Sequence, residues 1–211
     1  MSAETATADR TRLLARGLRL EYLTVGWNVV EGLVAITAAL AAGSVALLGF
    51  GIDSFVECAS GLVLVWRLHA EGRAIDREAI ERVERRAQRF VAASLVALSA
   101  YIVYDAVTTL VAGERPEASP VGVGLAALSL GVMWWLAGAK RRTAAALGSR
   151  AMQADAFQTT ACWWLSLAVL AGVGLNTLFG LWWADPLAAL IIPVFLVREA
   201  REAWAGIECD C

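Results

Sequence analysis

The stretch Ser44–His69, SVALLGFGIDSFVECASGLVLVWRLH, decides how the rest of the chain is read. It has the length and apolarity of a helix that crosses a bilayer, for which about 20 residues are needed. Yet Asp53 and Glu57 lie near its middle, four positions apart. A helix stacks such positions on one face. Each carboxylate in hydrocarbon costs roughly 2.5–3.5 kcal/mol on insertion scales. A pair of them is kept where it faces a cavity, an ion or a partner on another helix.

The flanking sequence places this stretch in a polytopic membrane protein. The chain has 211 residues, is 59% hydrophobic and has a mean hydropathy of +0.61. A soluble domain is nearer half apolar. Six apolar segments of about the spanning length can be drawn. They are Leu20–Ala42, Val45–Leu68, Phe90–Ala112, Val121–Ala139, Met152–Phe179 and Pro186–Ala203. The fold class expected is therefore an all-α membrane protein with six transmembrane helices. Residues 1–19 form a polar tail, 20–205 the membrane domain and 206–211 a Cys-containing tail. Asp185-Pro186 is expected to open the sixth helix as N-cap and first position, and Pro193 to kink it.

The basic residues give an orientation. Arg10, Arg12, Arg16 and Arg19 precede the first segment, and Lys140, Arg141, Arg142 and Arg150 join the fourth to the fifth. Arg73, Arg77, Arg82, Arg85, Arg86 and Arg89 fill the second link, and Arg198 and Arg201 close the sixth segment. Only Arg115 lies in a link on the other side. The positive-inside rule then puts both termini in the cytoplasm. The first 17 residues lack the apolar run of a signal peptide and read as a cytoplasmic tail. The second link reads as a charged helix, with Glu78/Arg82 and Glu81/Arg85 as favourable pairs. Trp182 and Trp183 suit an interfacial belt at the outer face.

Candidate site residues follow from polarity inside apolar segments. Asp53 and Glu57 form half of a divalent-cation site, or a pair that exchanges protons. Gln158 and Cys162 repeat the four-residue spacing in the fifth segment, with a carbonyl oxygen and a thiol as donors. Asp155 lies near the cytoplasmic end of that segment, where it supplies charge on the path, meets water or caps the helix. Glu21 is expected at the interface, solvated. Asn28 and Glu31, one turn apart, either line the same cavity or bond between helices. Asp105 lies nearer the outer face, beside Tyr104. Cys58 reads as a packed side chain rather than a ligand. Gly122, Gly124, Gly131, Gly138, Gly172 and Gly174 suggest close helix contacts. Cys209 and Cys211 form a two-thiol tail that is a weak metal motif. One histidine, His69, excludes the His-based zinc hydrolase motifs, and no Ser/His/Asp set is placed together. The chain is not expected to be an enzyme, to hold a resident cofactor or to bind nucleic acid.

Taken together, AAGSVALLGFGIDSFVECASG, LGSRAMQADAFQTTACWW and WWADPLAALII resemble the cation diffusion facilitator family of divalent metal/proton antiporters. The likeness covers all six segments and extends to short forms without the cytoplasmic domain, similar to the synaptic-vesicle zinc-efflux membrane protein branch. It implies a metal site shared by the second and fifth segments, on Asp53, Glu57, Gln158 and Cys162, with Asp155 matching the acid of an A-D-x-x-H run. Gln158 and Cys162 stand where the family carries His and Asp. It further implies export of zinc or another divalent metal in exchange for protons, a homodimer and a place in the cell membrane. The alternative is a non-transporting, metal-responsive or partner-modulating membrane subunit.

Overall fold

The computed structural model of the chain describes residues 3–72, 77–113 and 115–205. Among the described residues the backbone is helical apart from short connections, in seven helices: α1 (Ala3–Ala42), α2 (Val45–Gly72), α3 (Arg77–Ala112), α4 (Pro120–Leu147), α5 (Arg150–Phe179), α6 (Ala184–Ala189) and α7 (Ile192–Ala205). Among the described residues four stretches are long and apolar enough to cross a membrane: Arg10–Ala42, Val45–His69, Pro120–Leu147 and Ala151–Phe179. Ser99–Ala112 of α3 is a shorter apolar stretch. The helix α1 runs back to Ala3, so the polar N-terminal residues continue the first span as helix rather than as a separate coil. Large apolar side chains such as Leu40, Tyr104, Val111, Trp134, Leu178 and Phe179 are exposed on the outside of the bundle, as lipid contact requires.

Turn chemistry sets the hairpins. At Ala42-Gly43-Ser44 the chain reverses within two residues, because Gly43 takes φ +64°, open to glycine without strain. Ser44 N–H donates back to the Ala39 carbonyl at 3.2 Å. α1 and α2 then lie antiparallel and close: a Cβ built on Gly32 would stand 3.0 Å from the Gly51 carbonyl oxygen. The α4–α5 hairpin turns as tightly, and Ser149 caps α5 through Met152 N–H at 3.4 Å. α1 also packs on α4, and α2 on α5 and α3. One apolar core joins α2, α3, α5 and α7 through Leu47, Phe50, Ile102, Leu165, Ile192 and Leu196. A second joins α1, α2, α4 and α5 through Leu20, Leu64, Leu68, Met133, Leu136 and Met152.

The sixth segment differs from its sequence reading. It is two helices, α6 packed mainly on α5 and α7 mainly on α3, separated at Leu190 and Ile191. Pro193 has no N–H for the Ala189 carbonyl, so the ladder stops before it rather than bending at it. Asp185 is not the cap either: α6 starts at Ala184, and the Asp185 carboxylate crosses to the start of α2. There it accepts from Ser44 Oγ at 2.6 Å and from Ala46 N–H at 3.5 Å. Ser44 Oγ in turn accepts from Leu47 N–H at 3.1 Å. The same end is stitched by Glu117 N–H to the Ala42 carbonyl at 2.7 Å and by Asn176 Nδ2 to the Pro116 carbonyl at 2.9 Å.

The glycine expectation holds in part. Gly122 meets Leu47, and Gly172 meets Ala188, closer than any Cβ would allow. Gly124, Gly131, Gly138 and Gly174 have open space instead. Cys209 and Cys211, and the side chains of Glu78, Arg82, Glu81 and Arg85, lie outside the described residues.

Candidate functional site

Polar side chains form a buried column between α1, α2, α4 and α5. On α1 they are Glu21, Thr24, Asn28 and Glu31, each 0–1% exposed. Spacings of three and four keep them on one face. On α5 the matching stripe is Asp155, Thr159, Cys162 and Ser166, and on α4 it is Ser129, Lys140 and Thr143. On α2 it is Asp53, Ser54 and Glu57, all within 2% of full burial.

At one level of the column the charges are paired. Lys140 Nζ donates to Asp155 Oδ2 at 2.5 Å and to Glu21 Oε2 at 3.1 Å, with every partner buried. Lys140 was read with the arginines of a cytoplasmic link, and Glu21 as a solvated interfacial acid. Both readings are corrected: α4 extends to Leu147 and carries Lys140 into the interior, where Glu21 is its counter-charge. Asp155 is therefore held by an ammonium group rather than presented to water. One oxygen of each acid, Glu21 Oε1 and Asp155 Oδ1, is left without a hydrogen bond.

About 15 Å further along α1, at 1.5 Å per residue, the arrangement changes. Glu31 accepts from Ser54 Oγ at 3.1 Å and from Trp27 Nε1 at 3.2 Å. Asp53 Oδ2 accepts from Cys162 Sγ at 3.4 Å, and Glu57 Oε1 from Thr159 Oγ1 at 2.9 Å. Asp53 lies within electrostatic reach of both Glu57 and Glu31. Three carboxylates thus converge where α1, α2 and α5 cross. Glu57 Oε2 and both amide atoms of Asn28 are buried without partners.

The structure brings Asp53, Glu57 and Cys162 together. Gln158 is half-buried and, among the described residues, bonds to neither carboxylate; its neighbour Thr159 faces Glu57 instead. The missed residues were legible in part: Thr159 sits midway between Asp155 and Cys162 on their stripe, and Lys140 lies eleven residues, three turns, after Ser129. Cys58 donates to the Val25 carbonyl at 3.6 Å, the packed role expected of it. Asp105 is half-buried on α3 beside an exposed Tyr104. Among the described residues no group of three or more His, Cys, Asp or Glu side chains is placed to hold a metal ion. The available donors are carboxylate oxygens with the Cys162 thiol, the Ser54 and Thr159 hydroxyls and the Asn28 amide nearby, types that ligate divalent cations.

The fold and this interior define an all-helical membrane protein with a carboxylate-rich centre. The chain matches the family described as the cation efflux transmembrane domain over residues 22–204, and it belongs to that family. It is also similar to an uncharacterized transporter of Synechocystis sp., at 31% identity over 155 residues, 70% of this chain. The chain spans about half, 49%, of that relative's length. Both comparisons point to a transporter rather than an enzyme.

Proposed function

We propose that the chain moves a divalent metal cation across a membrane, with Asp53 and Glu57 as its anionic ligands. The observation that carries this reading is a charge surplus. The column buries five carboxylates, Glu21, Glu31, Asp53, Glu57 and Asp155, against one buried ammonium, Lys140, among the described residues. Ionised together they would leave four negative charges unmatched inside a low-dielectric bundle. Protons or a cation must supply the difference. Lys140 offsets one of the two charges at the Glu21–Asp155 level, so three of the four surplus charges fall at Asp53, Glu57 and Glu31.

Cys162 completes the shell as a thiol donor, which favours zinc, while the oxygens admit manganese, iron or cobalt. Thr159 and Gln158 stand beside it on α5. Ligands must be deprotonated to bind metal, so loading the site releases protons. Alternation of the site between the two sides turns that linkage into exchange, metal outward and protons inward. Six crossings, formed by α1–α5 and the α6–α7 pair, with the Arg-rich termini in the cytoplasm of a cell membrane and a homodimeric assembly, complete the reading. It is shared with the short zinc-efflux branch that the sequence resembles.

The test is flux into proteoliposomes of Zn2+, Mn2+, Fe2+ and Co2+, with lumenal pH recorded. Asp53→Asn is expected to abolish cation flux, and undiminished flux would sink the assignment. Cation binding by the wild type without any flux across a pH gradient would favour a metal-responsive subunit.

A further inference from the structure

Resting on that reading of Asp53 and Glu57, we infer that α1 supplies part of the cation's shell. Asn28 does so through its carboxamide oxygen and Glu31 through its carboxylate, and these donors let the site take hard, oxygen-preferring cations such as Mn2+.

Contacts between α1 and α2 fix where Asn28 sits. Glu31 meets Ser54, Cys58 meets the Val25 carbonyl, and Gly61 lies against Val25 and Glu21. The helices are antiparallel, so Asn28, between Val25 and Glu31, is level with Glu57, between Ser54 and Gly61. Asn28 shares the inward face of Glu21, Thr24 and Glu31, and it is 0% exposed. Neither its Oδ1 nor its Nδ2 has a hydrogen-bond partner, and the Glu57 Oε2 oxygen at that level has none.

An orphaned buried polar group is costly, and native interiors hold few of them. A direct Asn28–Glu57 hydrogen bond would satisfy both groups, yet they do not make one. A cation between them engages Asn28 Oδ1 and Glu57 Oε2 together, with the Glu31 carboxylate one turn along α1. Carboxylate and amide oxygens are the donors that hard divalent ions prefer. The thiol of Cys162, on the α5 side, serves softer ions. The two sides of the site therefore weight different metals.

The experiment is calorimetric titration of the purified full chain in nanodiscs with Mn2+ and, separately, Zn2+. Asn28→Ala is expected to weaken Mn2+ binding at least about tenfold and Zn2+ binding by under about threefold. Asn28→Asp keeps the oxygen donors and is expected to bind Mn2+ at least as tightly as the wild type. Asp53→Asn separates the two levels of the argument. If the wild type binds neither ion, or Asp53→Asn binds as well as the wild type, the reading of Asp53 and Glu57 fails. If Asp53→Asn loses binding while Asn28→Ala keeps wild-type Mn2+ affinity, the role of α1 is overturned. A poorly folded Asn28→Ala leaves the decision to Asn28→Asp, and tenfold weaker Mn2+ binding in that variant also overturns it.

Discussion

The two levels of the polar column use the same residue types to opposite ends. At Glu21–Lys140–Asp155 an ammonium group bridges two carboxylates from different helices at hydrogen-bond distance. At Glu31–Asp53–Glu57 the hydrogen-bond donors are neutral, Ser54, Ser129, Trp27, Cys162 and Thr159, and Lys140 reaches Glu57 only through its longer-range field. At the first, closed level the chain supplies one counter-charge for two acids. The second, open level has no such partner at ion-pair distance among the described residues. Buried acids are thus not equivalent, and the counter-charge at the same height separates a paired acid from an unpaired one. Thr159 joins the levels, donating to Glu57 and lying 3.2 Å from the Asp155 carbonyl.

The largest effect is expected from breaking the closed level. Lys140→Met strands two acids in the interior, where loss of one partner of a buried pair costs about 3–5 kcal/mol. Thermal unfolding in detergent should show a marked fall in Tm. The triple change Glu21→Gln, Lys140→Met, Asp155→Asn should recover most of it. A single variant as stable as the wild type would erase the distinction between the levels.

The open level should respond with the opposite sign. Glu57→Gln removes a carboxylate whose Oε2 has no partner, and should stabilise the cation-free protein by about 1–3 kcal/mol. The rise in Tm that added Mn2+ or Zn2+ gives the wild type should vanish. A drop in cation-free stability instead would mean that Glu57 is held as firmly as Asp155.

The smallest change belongs to Cys162→Ser, which keeps a donor to Asp53. Stability should move by no more than about 0.5–1 kcal/mol, while the ratio of Zn2+ to Mn2+ affinity should fall. A ratio equal to that of the wild type would remove the thiol from the shell.

Much of this was legible in the sequence because helical spacing and membrane cost are local properties. Asp53, Glu57 and Cys162 stood out as polar residues within apolar runs, and the structure brings them together. The partners were harder to read, since they are set by which helices pack. Lys140 opens the run Lys140-Arg141-Arg142, whose arginines are exposed while the lysine is buried. Charge clustering hid that difference, although the stripe through Ser129, Met133 and Leu136 pointed inward. Gln158 and Thr159 are adjacent, and a family motif favoured the first while the rotation of α5 against α2 presents the second. Asp185 looked like a local cap because Asp-Pro is a strong local signal, yet a tertiary contact with Ser44 outcompetes it.

The interruption at Leu190–Ile191 has a mechanical side. Upstream, α6 travels with α5, and Asp185 ties it to the head of α2. Downstream, α7 travels with α3. The segment thus joins a helix seated on α5 to one seated on α3, at a point where Pro193 offers no backbone N–H. Leu190 and Ile191 N–H reach back only to the Pro186 and Ala188 carbonyls, so the direction of α7 is set by the helix it lies on rather than by the one that precedes it.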